Sequence, residues 1–337
     1  MMVSMLVGGA FAGVCERVPG AGQELSDLEV SWTLGFGSYK GTSPVTVTRT
    51  AGGELVAAGA CKTMTDAWWS TWNPRVRVVV DAVEQSIAHL DEFNRLERPA
   101  CAGDPTRCPV RLADLHLEVY LRAPDVDCAS FARWIPASSD PVQWSFNGRG
   151  VLELCSDVLT PDLVGHEFAH LLMQKEYLRY LYMPRDGEPG ALRESMADLF
   201  GHGVACGLLS DSTAGCDWDF PSGDDVKPRR TMAEPWSANR PATTMALKAD
   251  AGCLKDPHCG AGVPNRATVM VLTGVSDPAY AYTLTPKVLT GMNRQMKDDL
   301  SFERWCATLA DVWLTGHDAH VADEACRAVG IGRPGGS

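Results

Sequence analysis

The sequence predicts an α+β fold with a β-rich first half and a helix-rich second half. The stretch from Glu24 to Val56 is rich in Val, Thr, Gly and Ser and alternates in part, which indicates strands and turns. From Leu163 onward, apolar residues recur at helical spacing to near the C-terminus. Separate runs of strands and helices are typical of α+β proteins. We therefore expect two lobes, residues 21–174 and 175–337, behind a candidate export leader at residues 1–20.

Individual elements follow from the spacing of apolar residues. Residues 76–96 predict one long amphipathic helix, because their apolar side chains recur at helical intervals. Leu115–Leu121 alternates as a strand, and Gln143–Leu154 predicts a hairpin that turns at Asn147-Gly148. A Gly- and Pro-rich insert between Cys206 and Asn265 is expected to interrupt the helical half. The helices predicted there are Leu163–Tyr182, Ala191–Leu209, Asn265–Thr273, Ser301–Leu314 and Ala319–Val329.

The charge balance argues against nucleic acid as a partner. The 337-residue chain has 42 acidic and 30 basic residues, a formal net charge of -12, whereas phosphate backbones are bound by concentrated basic surfaces. No stretch approaches the roughly 20 apolar residues of a membrane-spanning helix. The leading residues 1–15 are apolar but lack basic residues at their start, so they resemble an export signal only in part. We expect a monomer without a membrane span.

The chain has 12 cysteines, scattered without any Cys-x-x-Cys pair. This spacing does not favour a thiolate zinc site, and the even count indicates disulfides formed in an oxidising compartment, with buried free thiols as the alternative. We therefore expect a secreted or extracytoplasmic protein. On spacing alone, the expected pairs are Cys101–Cys108, Cys206–Cys216, Cys253–Cys259 and Cys306–Cys326.

The motif His166-Glu167-Phe168-Ala169-His170 lies in the apolar run that begins at Leu163. Residues four apart share one face of a helix, so both imidazoles can reach one zinc ion while the glutamate points toward a metal-bound water. Two ordinary helix-face histidines are the alternative. The motif predicts His166 and His170 as zinc ligands and Glu167 as the general base.

A catalytic zinc needs a third protein ligand and an open position. The segment from Gly190 to Gly201 offers Glu194 and, one helical turn later, Asp198. Glu194 can complete the zinc shell, and Asp198 can accept the free ring N–H of a zinc-bound histidine. The alternative is that either acid lies on an ordinary helix surface.

Several segments resemble the thermolysin family of zinc metallopeptidases and follow one another in that family's order. In the family, HExxH is followed by a helix reading G-A-x-N-E-x-x-S-D-x-F-G, and residues 190–201 read GALRESMADLFG. Residues 162–165, DLVG, resemble the lead-in to the first motif. The resemblance extends from about Gln143 to Gly330, and its other segments are DWDF at 217–220, RTMAEP at 230–235, residues 257–267 and ACRAVG at 325–330.

The resemblance implies a thermolysin-like two-lobe fold, with a β-rich N-terminal lobe, an α-helical C-terminal lobe and the zinc site on the helix between them. It implies that His258 donates to the developing oxyanion and that Arg230 binds a substrate carbonyl. Gln143 corresponds to a residue that binds the substrate backbone. Taken without the resemblance, His258 is a loop histidine beside a cysteine.

Calcium is a further implication of the resemblance, because the family braces its active-site helices with carboxylate-bound calcium. Ala205 stands where the family places a bridging Glu, so we expect one calcium ion or none, with a disulfide at Cys206 joining the same segments. The candidate calcium ligands are Asp162, Asp217, Asp219 and Asp224 or Asp225.

Two departures from the family pattern concern the site. Arg193 replaces the Asn before the third ligand, and Gly260-Ala261 replaces Asn-Ser further on. These substitutions affect the support of the site rather than the fold. The family's active-site tyrosine corresponds to Tyr180 or Tyr182, because a longer connection between the two zinc-binding motifs obscures the register.

The sequence and the resemblance together predict a zinc-dependent endopeptidase that acts on polypeptide substrates. One alternative is a catalytically impaired thermolysin-like zinc protein that acts as a binding module. Retention of Glu167 argues against it, because a structural zinc site has no use for a general base. An aminopeptidase-like enzyme is the other alternative. It would need an acidic anchor for the substrate amine, and no motif for one is present.

Overall fold

The computed structural model describes the chain in sixteen segments, and the structural statements below concern only these residues. They are residues 31–36, 45–49, 55–58, 62–63, 78–79, 81–90, 116–121, 130–137, 148–154, 159–176, 184–209, 218–220, 230–235, 240–275, 299–310 and 318–332.

The chain divides into two compact units, and the first is built on a β-sheet. This unit comprises residues 1–80 and 111–159. Its sheet has seven strands in the order β4-β3-β2-β1-β5-β7-β6. Strands β1, β5 and β7 are parallel, and the other pairings are antiparallel. The strands are β1 Ser31–Phe36, β2 Val45–Arg49, β3 Leu55–Ala58, β4 Lys62–Thr63, β5 His116–Leu121, β6 Phe131–Pro136 and β7 Gly148–Leu154.

Strand β5 shows why these residues form a sheet. Its apolar residues Leu117 and Val119 are fully buried and alternate with Glu118 and Tyr120, so they point to the opposite face. On the polar face, Arg149 Nη1 lies 2.6 Å from Glu118 Oε2, and the Tyr120 hydroxyl donates to the same oxygen at 3.0 Å. Burial and the adjacent Glu118 carboxylate raise the pKa of Tyr120 to about 12. The charged and polar side chains on this face thus pair with one another.

The second unit is mostly helical and comprises residues 81–110 and 160–337. Its first helix, α1, covers residues 81–90. Two short strands, β8 Asp219–Phe220 and β9 Arg230–Thr231, pair antiparallel. The remaining helices are α2 Pro161–Glu176, α3 Gly187–Leu209, α4 Thr244–Ala249, α5 Ala251–Lys255, α6 Pro257–Gly260, α7 Gly262–Gly274, α8 Phe302–Thr308 and α9 Ala319–Ala328.

The α+β class is confirmed, as are the strand at 115–121 and the helices on either side of the insert. The expected turn at Asn147-Gly148 was wrong in its position. Gly148 is not in a turn but in β7, opposite Pro136, where a Cβ would lie 2.6 Å from the Trp134 ring. The predicted boundary between lobes after residue 174 stays a prediction.

The insert before Asn265 also differs from expectation, because three short helices occupy residues 244–260. Each begins at a side chain that accepts hydrogen bonds from the first turn. Thr243 accepts from Ala246 N, Asp250 from Gly252 N and Cys253 N, and Asp256 from His258 N. Capping side chains, rather than apolar periodicity, therefore determine where these helices begin.

Helices α2 and α3 pack closely because glycines lie where they meet. A Cβ on Gly165 would lie 2.9 Å from Gly201 Cα, and a Cβ on Gly201 would collide with the carbonyl oxygen of Asp162. No larger residue fits at either position without moving a backbone. This packing brings the HExxH helix against the helix that carries Glu194.

Disulfides join parts of the helical unit. Two of the expected pairs, Cys253–Cys259 and Cys306–Cys326, are confirmed. Cys206 is also disulfide-bonded, to a cysteine outside the described residues. The expected pair Cys101–Cys108 and residue Cys216 lie outside the described residues. None of the described helices is long and apolar enough to cross a membrane.

We expect Gly201→Ala to lower the free energy of unfolding by about 1–3 kcal/mol, because the strain of the added methyl exceeds the gain in helix propensity. Chemical denaturation of the metal-free protein measures the change. Gly332→Ala is the control, since a Cβ there meets nothing within 4 Å. Equal stability of the two variants would contradict the tight α2–α3 contact.

Candidate metal centre

Helix α2 places two imidazoles side by side. Its residues Val164, Phe168 and Leu171 are fully buried and anchor one side of the helix. His166 and His170, one turn apart, have ring centroids 4.6 Å apart in an edge-to-face arrangement, and their Nε2 atoms are separated by 3.1 Å. Both ring nitrogens therefore converge on one point, as the sequence motif predicts.

Glu194 on α3 completes a cluster of three ligand atoms. Its Oε2 lies 3.4 Å from His166 Nε2 and 3.5 Å from His170 Nε2. Ligands bound to zinc at 2.0–2.1 Å in tetrahedral geometry are about 3.3 Å apart, so the three separations fit one zinc ion. Among the described residues, His166, His170 and Glu194 form the one group of three that can hold a metal ion.

The electrostatics of the cluster favour the form of Glu194 that can bind a metal. Burial raises the pKa of Glu194, but the His170 and His166 rings outweigh burial and hold the pKa well below its ordinary value. The carboxylate is therefore ionised, which is the form that binds metals.

Asp198 fixes the orientation of one histidine. Its Oδ1 lies 2.9 Å from His166 Nδ1, and its side chain is fully buried. A carboxylate at this nitrogen keeps the proton on Nδ1 and leaves the Nε2 lone pair for a metal. The sequence left the partner histidine open, and the geometry assigns it as His166. Asp198 also accepts a hydrogen bond from Asn265 Nδ2 at 2.8 Å.

Glu167 and His258 are the two predicted catalytic residues. Glu167 is next to His166 on α2, and 7% of it is exposed. His258 lies on α6, half-exposed, with Nε2 3.4 Å from Glu194 Oε2. It does not belong to the three-ligand group. The structure thus brings His258 to the ligand cluster across a gap of 64 residues in sequence.

A capping hydrogen bond and a disulfide hold the chain at His258. Asp256 Oδ1 accepts from the His258 backbone N–H at 3.0 Å and lies 3.9 Å from His258 Nδ1. The Cys253–Cys259 disulfide closes the same stretch of chain. Buried Gly260 then packs on α3, where a Cβ would lie 3.0 Å from Ala191 Cβ. The chain is therefore held in place both before and after His258.

Several predicted site residues are not brought to the cluster by the described structure. The backbone of Asp219 pairs with that of Thr231, beside Arg230, but the side chains of Asp219 and Arg230 are not among the described parts. Asp162 is buried in the first turn of α2, where its Oδ1 accepts from Leu163 N. Residues that lie outside the described segments are Gln143, Asp217, Asp224, Asp225, Tyr180 and Tyr182.

Comparisons with known proteins agree with this arrangement. No family model matches the chain. Neutral protease NprE of Bacillus pumilus is 30% identical over 131 residues, which span 36% of this chain and 39% of that protein. Bacillolysin of Bacillus subtilis (strain 168) is 30% identical over 131 residues, or 22% of its length. The match thus spans less than two-fifths of these curated relatives.

The fold comparison covers far more of the chain. The precursor of protealysin, a metalloproteinase from Serratia proteamaculans, matches with a TM-score of 0.58 and 16% identity over 90% of this chain and 88% of that chain. At this identity the likeness shows the fold alone. The fold, the sequence matches and the His-His-Glu cluster together support a thermolysin-family metallopeptidase.

The departures from the thermolysin-family pattern can now be located. Gly260 lies at the contact with Ala191, so the larger family residue would require α6 to move away from α3. Arg193 is half-buried beside Glu194 on α3. Neither change removes a ligand atom from the cluster.

Sequence reasoning missed three residues near this site. Asp256 precedes Pro257, and an Asp before a proline is a helix N-cap signal. Asn265 is a polar residue on the buried face of α7, which has no local signature. His202 lies four residues after Asp198 and eight after Glu194, so its helical spacing places it on the face that carries the site.

His202 is buried in an apolar setting. Its ring stacks on Trp218 with centroids 4.0 Å apart, and Nε2 lies 3.4 Å from Cys206 Sγ. Burial lowers the pKa of His202 to about 4. The ring is therefore neutral in the folded protein near neutral pH.

We expect stability to fall as the pH drops from about 6.5 to 4, because the unfolded chain protonates His202 in this range while the folded chain does not. The full effect is about 3 kcal/mol, from the difference between the ordinary and the lowered pKa. Urea unfolding of the metal-free protein at several pH values measures it. In His202→Phe the loss should be smaller, whereas exposed His320→Gln should behave as wild type. Equal pH dependence in all three proteins would contradict the buried neutral ring.

Proposed function

We propose that the protein is a zinc-dependent endopeptidase. The observation that carries the proposal is the set of three separations, 3.1, 3.4 and 3.5 Å, between His166 Nε2, His170 Nε2 and Glu194 Oε2. Three protein ligands that leave one position open are typical of catalytic rather than structural zinc. The curated relatives are named as proteases, which supports the same reaction class.

Under this proposal, His166, His170 and Glu194 hold the zinc ion, and Asp198 orients His166. When bound, zinc polarises a carbonyl group and lowers the pKa of water to roughly 7. The donor set is suitable, because two neutral imidazoles and one carboxylate form a mixed nitrogen and oxygen site.

Glu167 is the proposed general base. It takes the proton of the attacking water and delivers it to the leaving amine, so one carboxylate serves both proton transfers. Its position supports this role, because it is next to the metal-binding His166 on α2 and largely buried.

His258 is proposed to stabilise the oxyanion that forms as water attacks the scissile carbonyl. An imidazole N–H preorganised toward that oxygen meets negative charge where it develops. Support comes from its Nε2, which lies on the Glu194 side of the cluster, and from the Asp256 carboxylate near Nδ1.

The proposed substrates are extended polypeptides, which bind by adding a strand to a sheet edge. Arg230 and Gln143 stay predictions as substrate-binding residues. Calcium at Asp162, Asp217, Asp219 and Asp224 likewise stays a prediction. We propose secretion or another extracytoplasmic location, supported by the disulfides of the helical unit.

Glu167→Gln is expected to abolish peptide hydrolysis while leaving about one zinc ion per chain, because the base is lost and the three ligands remain. Elemental analysis and turnover of a quenched-fluorescence peptide, with and without a zinc chelator, measure the two quantities. Exposed Glu303→Gln is the matched control and should keep both. Full activity of Glu167→Gln would exclude this mechanism. Absence of activity in the wild-type protein, with zinc bound, would favour the binding-module alternative.

His258→Ala should lower kcat by about 10²- to 10³-fold with the zinc content unchanged, the usual effect of losing one oxyanion donor. The exposed histidine of α9 provides the control, and His320→Ala should leave kcat as in wild type. Loss of zinc from His258→Ala would instead make His258 a ligand and would contradict its role as a donor.

A further inference from the structure

The buried side-chain amide of Asn265 contacts Asp198, the carboxylate that orients the His166 ring. Asn265 is the fourth residue of α7, and 2% of it is exposed. Its Nδ2 donates to Asp198 Oδ2 at 2.8 Å, and Asp198 Oδ1 lies 2.9 Å from His166 Nδ1. The three side chains form a series of contacts that ends at Nδ1 of His166, the ring nitrogen opposite the candidate ligand atom Nε2.

We propose that Asn265 is a positioning residue of the metal centre, which fixes the Asp198 carboxylate and, through it, the orientation and tautomer of His166. This inference rests on the proposed zinc site. It adds a residue from a third helix to the pair of helices that supply the ligands.

The chemistry of the contact allows one orientation of the amide. An ionised carboxylate accepts hydrogen bonds and donates none, so the NH₂ group of Asn265 must face Asp198. With the amide reversed, two acceptor oxygens would meet in a buried setting. The direction Asn265 to Asp198 to His166 is therefore set by the donors and acceptors themselves.

The carbonyl oxygen of the Asn265 amide indicates that the residue is not there to satisfy its own hydrogen bonds. Within the described structure, Asn265 Oδ1 is buried without a hydrogen-bond partner. An apolar side chain of the same size would avoid this cost, because an unsatisfied buried acceptor destabilises the fold. The hydrogen bond to Asp198 is thus the contact that an apolar residue cannot replace.

The carboxylate needs such a second contact. An aspartate rotates about its terminal bond, and a hydrogen bond to one oxygen leaves that rotation soft. With Oδ2 held from α7 and Oδ1 at His166, the carboxylate plane is fixed at two points. A fixed plane keeps the His166 ring where its Nε2 meets the ligand atoms of His170 and Glu194, so the metal affinity should depend on Asn265.

A double-mutant cycle on zinc affinity tests this dependence. The proteins are wild type, Asn265→Leu, Asp198→Ala and the double variant, each prepared metal-free and titrated against a chromophoric chelator. We expect Asn265→Leu to weaken zinc binding about tenfold, the lower end for residues outside the ligand shell. In the Asp198→Ala background the same change should have no further effect, because the residue it acts through is gone.

Thr268→Val is the matched control. Thr268 is buried on the same helix, and its hydroxyl donates to Pro264 O within that helix. Its zinc affinity should equal that of wild type. The visible absorption of the cobalt-substituted proteins provides a second readout, and we expect a changed ligand-field spectrum in Asn265→Leu but not in Thr268→Val.

The outcomes separate the inference from the proposed function. Unchanged affinity in Asn265→Leu would overturn the inference, as would an equal loss in both backgrounds, which would indicate a packing effect. If far-UV circular dichroism shows that Asn265→Leu does not fold, Asn265→Ala takes its place in the cycle. Wild-type protein that binds no zinc, or binds it equally after His166→Ala, would instead refute the zinc site itself.

Discussion

The close approach of α2 and α3 is the constraint on which the site depends. Two of the three candidate metal ligands come from one helix and the third from the other, so the distance between the helices sets whether three atoms can share an ion. Gly165 and Gly201 make that distance small, because neither presents a side chain at the crossing. Metal geometry tolerates deviations of only about 0.2 Å. The backbone contact between α2 and α3 is therefore a precondition of the metal centre.

Local patterns in the sequence were sufficient for part of this arrangement. His166 and His170 lie one helical turn apart, so a helix assignment alone predicts that they share a face. Alternation predicted β5, and apolar spacing predicted α2, α3 and α7. The short helices at 244–260 could not be found in this way, because four to six residues are too few to show a period. Their signals were the capping residues Asp250 and Asp256.

The supporting residues were harder to predict for a different reason. The hydrogen bond between Asn265 and Asp198 joins residues 67 positions apart, and nothing near either residue indicates the other. Similarly, the buried His202 ring stacks on Trp218, which lies 16 positions further along the chain. Such pairs are set by packing. The resemblance to the thermolysin family supplied the expected role of His258, but it named no partner for either Asn265 or His202.

Under the proposed function, the three short helices at 244–260 affect how readily copies of the protein can cleave one another. An endopeptidase cleaves chain that can become extended, and exposed segments of other copies of the same protein are available to it. This segment is exposed at several positions, including Met245 at 80%. Yet its residues are held in three capped helical turns, and the Cys253–Cys259 bond closes the last two. Under the proposed endopeptidase function, we therefore expect the segment that presents His258 to be a poor substrate for self-digestion.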